Sequence, residues 1–155
     1  MSIWRSRSPV PPKPTDVAAV IEGAPVATFD LDIVPDRRLS NIERLVQALD
    51  ELHARYRERP DLHPDAETLC GADHHLLMTR HGPLDVLGII GRDRDFHSLM
   101  PHTRRRSAQG MIVCVLDLET QIAVKQELKF PKDRAVMPIL RAALQEQRKR
   151  GRRRS

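Results

Sequence analysis

Phe29-Asp30-Leu31-Asp32-Ile33-Val34 reads as one β-strand that carries its chemistry on a single face. Side chains alternate across a strand, so Asp30 and Asp32 point one way and Phe29, Leu31 and Ile33 the other. Carboxylates at alternate positions repel each other unless a cation sits between them. A divalent metal is the natural choice, because hard cations prefer oxygen ligands. Pro83-Leu84-Asp85-Val86-Leu87 repeats the setting, with Asp85 opposite in direction to Leu84 and Val86. If the two strands are neighbours, three carboxylates converge, which is the ligand set of a two-metal phosphoryl- or nucleotidyl-transfer site. The competing reading of each Asp is a solvated strand residue.

Composition bounds the rest. At 155 residues the chain is read as one domain, large enough to bury roughly two-thirds of its unfolded surface. Aromatic residues are only 3% of the chain, so the core is aliphatic and a base-stacking platform for single strands is disfavoured. The net charge of +5 is carried by the ends. Residues 1–14 hold Arg5, Arg7 and Lys13, and residues 148–155 hold Arg148, Lys149, Arg150, Arg152, Arg153 and Arg154, with no acid in either stretch. Without these nine bases the body has 17 basic against 21 acidic residues and is mildly acidic. Cys70 and Cys114 make no disulfide framework. No apolar run approaches the ~18 residues of a membrane span, and the start lacks a secretory h-region. A cytoplasmic setting without membrane contact is expected.

Along the chain, residues 1–14 read as a disordered, proline-rich lead-in and residues 148–155 as a basic tail, leaving 15–147 as the folded domain. A short helix is expected from about Asp16 to Glu22, stopped by Gly23. Ser40-Asn41-Ile42-Glu43 has the form of a capping box, and Leu39, Ile42, Leu45, Val46, Leu49, Leu52 and Tyr56 form an apolar helical stripe behind it. Residues 57–73 read as a loop, and 74–79 and 84–90 as a hairpin across Arg80-His81-Gly82-Pro83. A short helix follows at 95–99, then Arg104-Arg105-Arg106 in a loop, and a strand at 110–116. Asp117 caps a helix running to Leu128, and a last helix covers 133–147 with Pro138 inside it, to be kinked or to start nearer the proline. Loosely alternating strands and helices around a hairpin predict an α/β (α+β) fold, a mixed sheet with packed helices and basic tails.

On the Asp117–Leu128 helix, Lys125 shares a stripe with Leu118 and Ile122, and Lys129 continues it. A lysine on an inward stripe either reaches a phosphate or snorkels to water. Cys70, His74, His75 and His81 do not match the paired short spacings of structural zinc sites.

Ala18-Ala19-Val20-Ile21-Glu22-Gly23-Ala24-Pro25, followed by Thr28 through Asp36, resembles the small nucleotidyltransferases of the polymerase-β superfamily. The similarity is to the minimal, abortive-infection toxin-like group. Leu116-Asp117-Leu118-Glu119-Thr120, Ala123-Val124-Lys125 and Pro131-Lys132-Asp133-Arg134 extend it, so it covers roughly residues 17–147. The resemblance implies a nucleotidyltransferase palm in which Asp30, Asp32 and Asp85 bind two Mg²⁺ ions. It implies phosphate contacts near Lys125, and transfer of a nucleotidyl group from an NTP to an acceptor hydroxyl on RNA, a protein or a small molecule. The family's Gly-Gly or Gly-Ser phosphate cradle is replaced here by Thr15 and Asp16. That departure supports an alternative, a catalytically degenerate member acting as a binding partner in a toxin–antitoxin or regulatory pair.

Overall fold

The computed structural model describes residues 2–4, 31–108, 110–128 and 133–152. The predicted helix at 16–22, and with it Thr15, Asp16 and Asp30, lies outside these residues, as does Lys129. The described strands are β1 (Ser2–Trp4), β2 (Leu31–Pro35), β3 (Arg55–Tyr56), β4 (His74–Thr79), β5 (Gly82–Leu87), β6 (Thr103–Ala108) and β7 (Met111–Leu116). The described helices are α1 (Leu39–Glu51), α2 (Ala66–Leu69), α3 (Phe96–Leu99), α4 (Leu118–Leu128) and α5 (Asp133–Arg152), with a 3₁₀ turn at Met100–His102.

The strands form one sheet in the order β3-β4-β5-β2-β1-β7-β6. β5, β2 and β1 are parallel, and β4 and β7 flank them antiparallel. The fold is the expected α+β arrangement of a mixed sheet with packed helices. Strand alternation divides its side chains between two layers. On one face Ile33, Leu77, Leu84 and Val86 pack against Ile42, Leu45 and Leu49 of α1 and Leu69 of α2. The helical positions recur three, four and seven residues apart, as an inward-facing helix requires. On the other face Val34 and Leu116 pack with Ile90, Phe96 and Leu99, and with Val124 of α4. α4 is buried on a second side as well, where Leu118 and Ile122 meet Leu140 of α5.

The two ends of α1 are fixed differently from expectation. The Ser40 capping box does not form: the cap residue is Arg38, with no side-chain cap of its own. Asp36 instead braces the chain entering the helix, because its Oδ1 accepts the Arg38 backbone N–H at 3.2 Å and its carbonyl accepts Asn41 Nδ2 at 2.7 Å. A capping box forms instead at Asp65 and Thr68, inside the stretch read as loop. At the C-terminus of α1, His53 N–H donates to Asp50 O and Ala54 N–H to Leu49 O, with His53 at φ 54°. This is the double bond pattern that closes a helix on a left-handed residue. It turns the chain so that Tyr56 leaves the predicted stripe and enters β3.

Three further boundaries move. Ser2–Trp4, inside the predicted lead-in, is a strand between β2 and β7. Arg104–Arg106 belongs to strand β6 and not to a loop. α5 begins at Asp133, includes Pro138 and continues to Arg152, so most of the basic tail is helix. The hairpin is confirmed, with a two-residue turn at Arg80-His81 and Gly82 at φ 126°. Among the described residues no helix is long and apolar enough to cross a membrane.

Candidate functional site

Asp32 and Asp85 are register partners on the adjacent parallel strands β2 and β5. Partners in register project to the same face, and neighbouring strands lie about 4.8 Å apart. Leu31 and Ile33, and Leu84 and Val86, point to the α1 face, so both carboxylates point to the opposite one. The structure therefore brings together two of the three acids singled out from sequence.

The row extends one strand further. Leu76 of β4 is the partner of Asp85, and Leu76 and Met78 are 42% and 45% exposed on the same face. The buried layer beneath α3 and α4 begins one step along, at Val34 and Leu87. The carboxylates, both half-buried, thus lie between the covered part of this face and the part on which Leu76 and Met78 are exposed.

Arg57 closes the site from the side. Its backbone N–H donates to Leu76 O at 3.0 Å, its Nε to Leu77 O at 3.1 Å, and its Nη2 pairs with Asp85 Oδ1. Two unit charges about 5 Å apart at an effective dielectric of 20 repel by about 3 kcal/mol, and the guanidinium offsets part of that between the acids. Sequence reading left Arg57 in a polar loop. Its role depends on β3 pairing with β4, which no local pattern announces.

The other candidates fall elsewhere. Lys125 sits half-buried in the last turn of α4, on the stripe whose Leu118 and Ile122 pack against α5. His74 Nε2 lies 2.8 Å from Ile89 O, and His75 Nδ1 lies 2.9 Å from the Tyr56 hydroxyl. His81 is exposed at the hairpin turn and Cys70 is half-buried under α2. Among the described residues no three His, Cys, Asp or Glu side chains gather into a group that could hold a metal. Asp32 and Asp85 offer two oxygen donors of the kind Mg²⁺ takes, and Asp30 precedes Asp32 by two residues.

Sequence reading did not single out two buried ionisable groups, Asp36 and His75, as buried. Asp36 is 1% exposed and accepts Arg38 Nε at 2.9 Å, with His97 Nε2 3.7 Å away. The Arg38 guanidinium holds its carboxyl below the usual carboxylate range, against the opposing effect of burial. His75 is buried, and among the described residues its Nε2 has no hydrogen-bond partner. Burial pushes its pKa down, and the charges of Asp73 and Asp65 only partly oppose that. The missed signals are an acid three residues before a helix, and a histidine in the inward phase of a strand.

No family model, curated protein or solved structure matches the chain.

Proposed function

We propose that the chain is a Mg²⁺-dependent, nucleotidyltransferase-like protein that acts on an NTP. The observation that carries this reading is the register pairing of Asp32 with Asp85 on neighbouring parallel strands, beside the exposed Leu76 and Met78. In this reading Asp30, Asp32 and Asp85 hold the metal, which would neutralise triphosphate charge and lower the pKa of an acceptor hydroxyl. The chain's own residues orient that charge: β2 and β5 fix the spacing of the acids and Arg57 fixes the Asp85 carboxylate. No phosphate contact is assigned to Lys125, whose stripe on α4 packs against α5; an acceptor on RNA or protein is the second substrate of this proposal, and the cytoplasm its setting.

A second reading has its own observation. The guanidinium of Arg57 already supplies a cation to Asp85, and Thr15 and Asp16 stand where the family's glycines would be. Both favour a member that has kept the scaffold and binds a protein partner in a regulatory or toxin–antitoxin pair.

Thermal unfolding with Mg²⁺ and each NTP separates the two. Ligand at 100 times its Kd stabilises by about 2.7 kcal/mol. A metal- and nucleotide-dependent shift in the native chain, absent in Asp32→Asn and Asp85→Asn, supports the enzyme reading. A shift seen only after Arg57→Gln identifies the arginine as the block and supports the degenerate reading. No shift in either protein removes the nucleotide site.

A further inference from the structure

The second long feature that the carboxylate site does not use is the outer edge of β6. Among the described residues β6 ends the sheet, and no strand pairs with its far side. It spans six residues, Thr103–Ala108, whereas β3 at the opposite edge spans two, Arg55–Tyr56. An edge strand presents an outward row of backbone N–H and C=O groups. Arg104 and Arg105 are exposed on it and Arg106 is half-buried. Alternation puts Arg104 and Arg106 on one face and Arg105 on the other, so positive charge borders the edge above and below.

Further basic residues lie beyond the Thr103 end of β6. Leu116, the partner of Thr103, leads directly into α4. Arg148 of α5 reaches Glu119 in the first turn of that helix at 3.6 Å. Lys149, Arg150 and Arg152 follow in the last turn of α5. Arg148 and Arg150 are paired with Glu119 and Glu146, so the charge that would steer an acidic chain to the edge is chiefly that of Arg104 and Arg105.

We infer that β6 is a docking edge for an extended, acidic polypeptide segment that adds a strand to the sheet. Three arguments select this occupant. A second copy of the chain is disfavoured, because antiparallel β6–β6 pairing centred on Arg105 sets Arg105 against itself and Arg104 against Arg106, and like charges directly opposite destabilise. Nucleic acid satisfies the arginines, but its phosphodiester oxygens only accept, and its donors, the base N–H groups and the 2′-OH, lack the regular alternation of the outward N–H and C=O row. A peptide strand supplies both donors and acceptors, and acidic residues on both its faces meet the arginines on both sides. The inference is independent of the carboxylate site.

The probe is a short labelled peptide of three consecutive glutamates flanked by valine and threonine, titrated into the full chain at low salt by fluorescence anisotropy. Binding is expected to weaken at least tenfold in Arg104→Glu/Arg105→Glu, and to weaken similarly when alternate peptide nitrogens are methylated, which removes donors but keeps the charge. Both arginines are exposed, and Arg104→Gln/Arg105→Gln, expected to give an intermediate loss, guards against a folding defect. Undiminished binding of the methylated peptide reduces the contact to charge attraction and overturns the inference. So does tighter binding of an oligouridylate that is lost in the same variants, which would make the edge a nucleic-acid surface. So does no binding of the peptide, which leaves the arginines only to keep the edge from pairing.

Discussion

The two faces of the sheet are built from the same strands and behave as opposites. One is closed by α1 and α2 over a continuous aliphatic layer. The other is covered by α3 and α4 at Val34 and Leu87, carries the half-buried Asp32 and Asp85, and leaves Leu76 and Met78 exposed. Neighbouring residues of a single strand belong to the two regimes: Leu77 is fully buried and Leu76 is 42% exposed. The difference separates what makes the chain fold from what leaves it something to bind with.

The largest expected effect tests that division within β4. Leu77→Ala should destabilise by about 3 kcal/mol, the usual size for a buried leucine that leaves a cavity. Leu76→Ala should stay within about 0.5 kcal/mol. Urea unfolding measures both, and comparable losses would mean that the open face is packed.

Next is the joint between β2 and α1. Asp36→Ala removes the acceptor of the Arg38 backbone and side chain, and should cost about 2 kcal/mol, the range for hydrogen bonds to a charged group. The folded carboxyl titrates below its ordinary 3.8, so this contribution is whole above that pH and fades as pH falls through the folded value. The mutant should therefore converge on the native chain in strong acid.

The turn that ends α1 offers a gain. His53 holds φ 54°, and a left-handed conformation costs a residue with a Cβ about 1 kcal/mol. His53→Gly should recover roughly that amount in urea unfolding, less the extra freedom glycine has when unfolded.

At neutral pH the smallest effect belongs to His75. Its folded pKa lies below the ordinary 6.5 because the ring is buried. Above 6.5 neither state binds the proton and nothing is lost. Below it the unfolded chain takes up a proton that the folded chain resists, so stability falls with acidification by at most about 1.4 kcal/mol per pH unit. His75→Gln should flatten the melting temperature between pH 6.5 and the folded pKa, and an unchanged slope would mean that the ring protonates in place.

The elements with strong local periodicity were legible in the sequence. Ile42, Leu45 and Leu49 announced α1, the Arg80-His81-Gly82 turn announced the β4–β5 hairpin, and Asp117 announced α4, whose Thr120 N–H it accepts at 2.8 Å. What was hidden depends on contacts distant in the chain. Ser2–Trp4 is strand only because β2 and β7 leave a slot between them. Arg104–Arg106 looks like a solvated run until β7 pairs with it. At the site, Asp32 and Asp85 were recognisable by their apolar strand flanks, whereas their adjacency depends on the sheet order. Arg57 could not be found, since nothing near it in sequence says which strand it crosses.

The slot filled by Ser2–Trp4 also sets a timetable. Ser2 pairs with Ile33 on one side and with Val115 on the other, so one short strand joins a near segment of the chain to a distant one. Until β7 pairs, the far edge of β1 is open to whatever else can pair with it. Contacts of this span close slowly, and a chain waiting with an open strand is prone to mispairing. Pairing of β7 with β1 is therefore expected to be a late step of folding.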